Sequence, residues 1–165
     1  MKTCLVVGPE FHGYTRATAK AMARAGIETT AIEIRPGHDG SLGGMTSYYA
    51  GRILRRTQIS PDHELIEAVS ALRPEIILII KGDWLQAESL ARLRTAAPGV
   101  RIVLWAMDSL VNIATMESLT NDVDLLAVFE PSDLDLELTA RFPAAIHLPA
   151  TFDADCYHPL PDIDQ

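Results

Sequence analysis

Six short apolar runs, separated by segments of helical character, constrain the fold of this chain more than any other feature. The runs are Cys4–Val7, Thr29–Ile34, Ile76–Ile80, Ile102–Trp105, Leu125–Phe129 and Ala145–Leu148. Because they are rich in Val and Ile and do not alternate with polar residues, we predict strands that are buried on both faces. This alternation predicts an α/β fold, with a Rossmann-like, doubly wound parallel sheet of about six strands and helices on both faces.

Capping residues mark the helices predicted between the strands. The predicted ranges are Thr15–Ala25, Pro61–Leu72, Gln86–Ala97 and Pro131–Arg141. The first helix stops at Gly26, a typical C-cap residue, and the second has proline at its first position. The segment Arg35–Thr57 departs from the pattern, and its proline and glycines predict a long loop followed by a helix from about Ser47.

The charge balance limits the partners of this chain. Apolar residues make up 48% of the sequence, and 14 basic against 22 acidic residues give a formal charge of −8. Such composition is typical of a packed core, and the acidity argues against a nucleic-acid partner, which needs a basic face. No apolar run approaches the ~20 residues of a membrane helix, and no signal-peptide architecture is seen. We therefore expect a cytoplasmic, soluble protein without a membrane span.

In parallel sheets ligands bind at the carboxyl ends of the strands, which directs attention to the loop after the first strand. Its glycines, Gly8 and Gly13, have the spacing of a P-loop, but Tyr14 stands where the phosphate-binding lysine would be. A GxGxxG fingerprint is also missing, so a nucleotide-dependent enzyme complete in this chain is disfavoured. We expect both glycines to be turn residues, ahead of a helix N-terminus that can receive an anion or a hydroxyl-rich ligand.

His12 lies in the same loop and is the candidate general base. Imidazole titrates near neutrality and can take a proton from an acceptor hydroxyl. The alternative is a histidine that only packs or hydrogen-bonds within the loop.

Polar residues also follow the third, fourth and fifth predicted strands. Lys81 and Asp83 stand beside Trp84, Asp108 follows the fourth strand, and Glu130 follows the fifth. Lys81 and Asp83 can line a polar pocket with an aromatic wall, Asp108 can bind sugar hydroxyls, orient a base or assist a metal, and Glu130 can converge on the same crevice. The alternatives are that Lys81 is solvated, that Asp83 caps the next helix, and that Glu130 stabilises a helix N-terminus. For Asp83 we favour the capping role.

Metal ligands are sparse in the sequence. Cys4 and Cys156 lie at opposite ends without zinc-site spacing, and Asp108 is a lone carboxylate. We predict no metal site, and we expect Cys4 to behave as a small hydrophobe in a buried strand.

Taken together, several motifs resemble the CgeB-like (spore maturation protein) glycosyltransferases. The resemblance runs through nearly the whole chain in the right order. It is carried by Gly8–Thr15 (GPEFHGYT), Lys81–Trp84 (KGDW), Trp105–Ser109 (WAMDS), Val128–Ser132 (VFEPS), and Leu148–Asp153 (LPATFD) with Tyr157–Pro159 (YHP).

The resemblance implies one half of a GT-B enzyme, in which two Rossmann-like domains face each other across a cleft. The N-terminal domain, here residues 1–152, receives the acceptor, and residues 153–165 form an extended linker. The nucleotide-sugar donor binds a second domain, in the same or a partner chain, and no catalytic metal is needed. Without that domain, the chain is expected to be inactive or nearly so, whether it is a fragment or a split half. By the same resemblance His12 is the base, and the loops of Lys81, Asp83 and Asp108 face the cleft. With the residues selected by their position after a strand, the predicted acceptor-binding set is Gly8, Gly13, Tyr14, Lys81, Asp83, Asp108 and Glu130.

The alternative is a non-catalytic, small-molecule-binding or regulatory Rossmann-like module, because fold alone does not set function. A receiver-like version needs clustered acids after the first strand, where this chain has only Glu10. On the glycosyltransferase hypothesis, an uncovered apolar cleft face would favour self-association into a homo-oligomer.

Overall fold

The six predicted apolar runs form the strands of one parallel sheet. The computed structural model describes residues 2–10, 13–34, 62–82, 85–112 and 116–150. The strands in these ranges are β1 (Thr3–Pro9), β2 (Glu28–Ile34), β3 (Ile76–Ile80), β4 (Arg101–Ala106), β5 (Leu125–Val128) and β6 (Ala145–His147). Their order is β2-β1-β3-β4-β5-β6, and every neighbouring pair is parallel. The predicted α/β fold with a Rossmann-like parallel sheet is confirmed.

The helices cover both faces of this sheet. They are α1 (Tyr14–Arg24), α2 (Asp62–Leu72) and α3 (Ala87–Ala96). Successive side chains of a strand point to opposite faces, so an uninterrupted apolar run supplies two cores. Leu5 and Val7 of β1 belong to the core that includes α2 and α3, whereas Cys4 and Val6 belong to the core that includes α1.

Helix α1 ends where its sequence predicts. Gly26 has a positive φ of 83°, a backbone conformation that glycine adopts without strain. Its N–H donates to the Ala23 carbonyl at 3.0 Å, and the Ile27 N–H donates to the Met22 carbonyl at 3.1 Å. This pair of bonds is a Schellman motif, which satisfies the last carbonyls of the helix.

The helix predicted at Pro131–Arg141 is wrong. Two short 3-10 segments, Pro131–Asp135 and Thr139–Arg141, occupy this range. The hydroxyl of Thr139 donates to the Asp133 carbonyl at 2.5 Å, and the carboxylate of Asp133 turns inward. Side chains of Asp and Thr offer the backbone such alternatives to helical hydrogen bonds, which explains the interruption.

Burial on both faces, predicted for every strand, is also wrong for the two outermost described strands. In β2 four of the seven positions are partly buried and three are exposed, and Ile146 of β6 is 45% exposed. Each of these strands pairs with a single described neighbour, β2 with β1 and β6 with β5. Shielding of the side chains is therefore less complete at the ends of the strand order.

Some predicted features lie outside the described residues. They are the loop and helix within Arg35–Thr57 and the linker 153–165. For the part of the chain that is described, no helix combines the length and the apolar character that crossing a membrane requires.

Candidate functional site

A cleft lies at the carboxyl ends of β1, β3, β4 and β5. From β1 the chain first crosses to β2 on one side and then to β3 on the other. In open α/β sheets this reversal, the topological switch point, is where ligands bind. The cleft, of about 360 Å³, has polar walls from Tyr14, Lys81 and Asp108 and apolar walls that include Ile80, Met107 and Phe129. We call it the switch-point cleft.

An ion pair spans this cleft between the loops after β3 and β4. The Nζ atom of Lys81 lies 3.2 Å from Oδ2 of Asp108, and their side chains are 30% and 50% exposed. Both residues were predicted site residues, and the structure brings them together with Tyr14. The pair offers a ligand hydroxyl one hydrogen-bond donor and one charged acceptor side by side.

The backbone under Lys81 is strained. Lys81 has a φ of 77° and Gly82 a φ of 71°, while the Lys81 N–H donates to the Trp105 carbonyl at 2.8 Å. A Cβ added to Gly82 would lie 2.5 Å from Cδ1 of Leu104, so the turn passes close against β4. A non-glycine residue at positive φ costs about 1–3 kcal/mol and persists only where its surroundings fix it. The close contact between this turn and Leu104 of β4 thus holds the backbone of Lys81 in place.

Asp133 organises the loop that carries Asp108, and it is a residue that sequence reasoning missed. It is 3% exposed. Its Oδ1 accepts a bond from the Ser109 hydroxyl at 3.1 Å, and its Oδ2 accepts from the Leu110 N–H at 2.9 Å. The signal available in the sequence was a second acidic residue after the fifth strand. Because it lies within the range predicted as a helix, an exposed position on that helix was the simpler interpretation.

Tyr14 opens α1 at the rim of the cleft. Gly13 is the N-cap residue with a φ of 69° and makes no side-chain cap bond, and its carbonyl accepts from the Ala17 N–H at 2.9 Å. The turn predicted at Gly13 is therefore confirmed. Tyr14 is 37% exposed and lines the cleft.

Gly8 is not a turn residue, in contrast to the prediction. It lies within β1, buried under the first turn of α1. A Cβ at this position would lie 2.5 Å from Oγ1 of Thr15 and 2.9 Å from Cβ of Ile80. The glycine is required by this close approach of helix to strand.

The other predicted site residues do not line the described part of the cleft. Glu130 is exposed after β5, and Phe129 is the residue there that lines the cleft. His12 and Asp83 lie outside the described residues. The N-cap position of α3 is occupied by Gln86, which makes no side-chain cap bond.

The segment after β6 reaches the cleft through Trp105. Its indole Nε1 donates to the Leu148 carbonyl at 3.0 Å, and Ala150 further along lines the cleft. The sequence analysis named Trp105 as the end of a predicted strand and the start of the WAMDS motif, without a partner for its N–H group, although a buried tryptophan normally finds one.

Acidic residues at the carboxyl edge do not gather into a metal site in the described ranges. No group of three or more His, Cys, Asp or Glu side chains there is placed to hold a metal ion. Glu10 lines a separate pocket of about 260 Å³ with Arg16 and Glu33, and these two form an ion pair at 2.5 Å. Glu10 and Asp108 therefore line different pockets.

Cys4 is a core residue of β1, as expected. It is 3% exposed, and burial raises the pKa of its thiol to about 11. The thiol is neutral at physiological pH and packs as a small apolar side chain.

Comparison with known proteins adds no relative. A scan against models of protein families gives no match, and a search of curated proteins gives none either. Inference of function therefore depends on the sequence motifs and on the geometry of the cleft.

Proposed function

We propose that this chain is the acceptor-binding domain of a nucleotide-sugar-dependent glycosyltransferase with GT-B architecture. The observation that carries the proposal is where the CgeB-like motifs fall in the fold. These motifs are widely spaced in the sequence. Their described residues lie at or just after the carboxyl ends of β1, β3, β4, β5 and β6, which share one edge of the sheet. Motifs collected at the ligand-binding edge are expected of a functional site rather than of a core.

The switch-point cleft suits a hydroxyl-bearing acceptor such as a sugar. Asp108 accepts hydrogen bonds from hydroxyl groups, and Lys81 donates to them, without a net charge that would demand an ionic ligand. The apolar walls at Met107 and Phe129 receive the C–H faces of the ring. Small-molecule sites typically combine such walls with a few placed polar groups.

His12 completes the proposed chemistry as the general base. It belongs to the segment between β1 and α1, whose flanking residues Pro9 and Tyr14 line the cleft. Its role remains a prediction from the sequence, since His12 is outside the described residues. The donor nucleotide sugar is assigned to a second domain in the same or a partner chain, and the protein is placed in the cytoplasm.

The binding half of the proposal is tested on the chain itself. Amide spectra of the ¹⁵N-labelled protein are recorded with a panel of neutral saccharides and with nucleotide sugars. We expect a saccharide to shift the signals of Tyr14, Lys81 and Asp108 while nucleotide sugars do not. Asp108→Asn should weaken that binding, and Asp122→Asn, an acid that precedes β5 at the opposite edge, should not. Preferential binding of nucleotide sugars in the cleft would contradict an acceptor role.

The catalytic half needs the native polypeptide. An antibody against this domain identifies that polypeptide in source cells by its mass, and sugar transfer is then assayed on it or on its complex. His12→Ala should lower kcat far more than it lowers acceptor affinity, because a base acts in the transition state. An unchanged kcat would remove His12 from the mechanism.

A non-catalytic sensor is the second candidate, favoured by the strand order. The order β2-β1-β3-β4-β5 is that of flavodoxin-like domains, which bind small molecules at the same switch point. A metabolite that stabilises the native polypeptide, with no transfer from any nucleotide sugar, would decide for the sensor.

A further inference from the structure

We infer that Asp133 is a positioning residue: its carboxylate holds Asp108 opposite Lys81 in the switch-point cleft. The inference depends on the proposed function only in naming the cleft as the acceptor site. It concerns a carboxylate that stands outside the cleft lining and outside the predicted site.

The buried carboxylate of Asp133 is directed at the loop after β4. A charged group that is 3% exposed needs hydrogen-bond partners to offset its lost hydration. Both partners come from the two residues that directly follow Asp108, the Ser109 hydroxyl and the Leu110 N–H. Two bonds to adjacent residues fix the position and direction of the chain that leaves Asp108.

Asp133 is itself held firmly on its own side. Its N–H donates to the Glu130 carbonyl at 3.0 Å, and its carbonyl accepts from the Thr139 hydroxyl at 2.5 Å. The loop after β5 is thus rigid where it contacts the loop after β4. Displacement of the Asp133 carboxylate would therefore reach Asp108 and its contact with Lys81.

A second bridging carboxylate provides the matched control. Oδ2 of Asp124 accepts from the Ile102 N–H at 2.7 Å and from Arg94 at 2.9 Å. These bonds lie at the amino end of β4, away from the cleft. Loss of either carboxylate should destabilise the protein, but only loss of Asp133 should alter the cleft.

The experiment compares Asp133→Ala, Asp133→Asn and Asp124→Ala by amide spectra and hydrogen exchange, with no ligand present. In Asp133→Ala the Leu110 amide should exchange at least about tenfold faster relative to the core strands, and the signals of Lys81 and Asp108 should move. Asp124→Ala should accelerate the hydrogen exchange of the Ile102 amide and leave the amide signals of Lys81 and Asp108 unchanged.

Asp133→Asn should keep Asp108 opposite Lys81. If the negative charge of Asp133 were what held the loop, Asp133→Asn would instead behave like Asp133→Ala. The asparagine Oδ1 can accept from the Leu110 N–H while its Nδ2 donates to the Ser109 hydroxyl oxygen. If Asp133→Ala does not fold, Ser109→Ala replaces it, since it removes one of the two bonds. Smaller shifts of the Lys81 and Asp108 signals in that variant would support the inference.

Two results would overturn it. One is unmoved Lys81 and Asp108 signals in Asp133→Ala, or in Ser109→Ala where that variant takes its place. The other is an equal shift of those signals in Asp124→Ala, which would indicate a general loss of stability. Because these spectra need no ligand, failure to bind any saccharide would refute the proposed function separately.

Discussion

Gly8→Ala tests whether the contact between α1 and β1 is as close as the structure shows. The substitution adds one methyl group near the carboxyl end of β1, without a backbone penalty from positive φ. That methyl group would lie 2.5 Å from Oγ1 of Thr15 and 2.9 Å from Cβ of Ile80. Neither neighbour has room to move, because Thr15 is 0% and Ile80 1% exposed. Both are also β-branched and stiff at χ1.

The expected cost follows from two contributions. Overpacking in a well-packed core costs about 1–3 kcal/mol. Displacement of the Thr15 hydroxyl also weakens its 3.3 Å bond to the Pro9 carbonyl, a loss of about 1 kcal/mol. We therefore expect Gly8→Ala to lower the free energy of unfolding by about 2–4 kcal/mol, much of the stability of a typical domain.

Urea unfolding of a double-mutant cycle measures this effect. Gly8→Ala should cost about 1 kcal/mol less in a Thr15→Ala background, because the closest clashing atom is gone. Gly99→Ala is the control: its φ is 84° and its added Cβ meets nothing within 4 Å, so backbone strain alone should cost about 1 kcal/mol. A Gly8→Ala cost below that of Gly99→Ala, or no coupling to Thr15, would refute the reasoning.

Three further measurements test the cleft and the core. Lys81→Gly should have a free energy of unfolding about 1 kcal/mol higher than that of Lys81→Ala. Both variants lose the ion pair with Asp108, but only glycine relieves the positive φ. Equal stabilities would show that the backbone is unstrained. Trp105→Phe should lose about 1 kcal/mol with its bond to Leu148 and shift the amide signal of Ala150, and an unmoved signal would contradict that link to the cleft. Since burial raises the pKa of the Cys4 thiol from 9.0 to about 11, the unfolded state ionises first, and the free energy of unfolding should fall by about 2 kcal/mol between pH 9 and 11. In Cys4→Ala the free energy of unfolding should fall less over the same pH range, by the amount assigned to the thiol. If the unfolding free energies of the two proteins fall in parallel with pH, the thiol is excluded as the cause.

The strands could be predicted from the sequence because they depend on local apolar patterning. Ile76–Ile80 forms β3 with the predicted bounds, and the other strands match within two residues at either end. The stop of α1 at Gly26 was predictable for the same reason, since a Schellman motif is made within a few residues of chain.

The polar residues at the carboxyl ends were also within reach of sequence reasoning. Parallel strands bring their ends to one edge, so Lys81 and Asp108 were expected at the same edge before any distance was known. Their bond at 3.2 Å, and the positive φ that supports it, were not predictable, because both depend on how the turn after β3 meets β4.

The sequence by itself determined a doubly wound parallel sheet and the edge at which the candidate site lies, since both follow from apolar runs and their order. The tertiary structure alone decided the roles of Gly8 and Asp133. Gly8 is set by a helix that passes over it, and Asp133 by hydrogen bonds to Ser109 and Leu110, more than twenty residues earlier in the chain. Such contacts join residues far apart in sequence, and no local pattern encodes them. The helix predicted at Pro131–Arg141 was lost for a different, local reason, the bond from the Thr139 hydroxyl to the Asp133 carbonyl within two 3-10 segments.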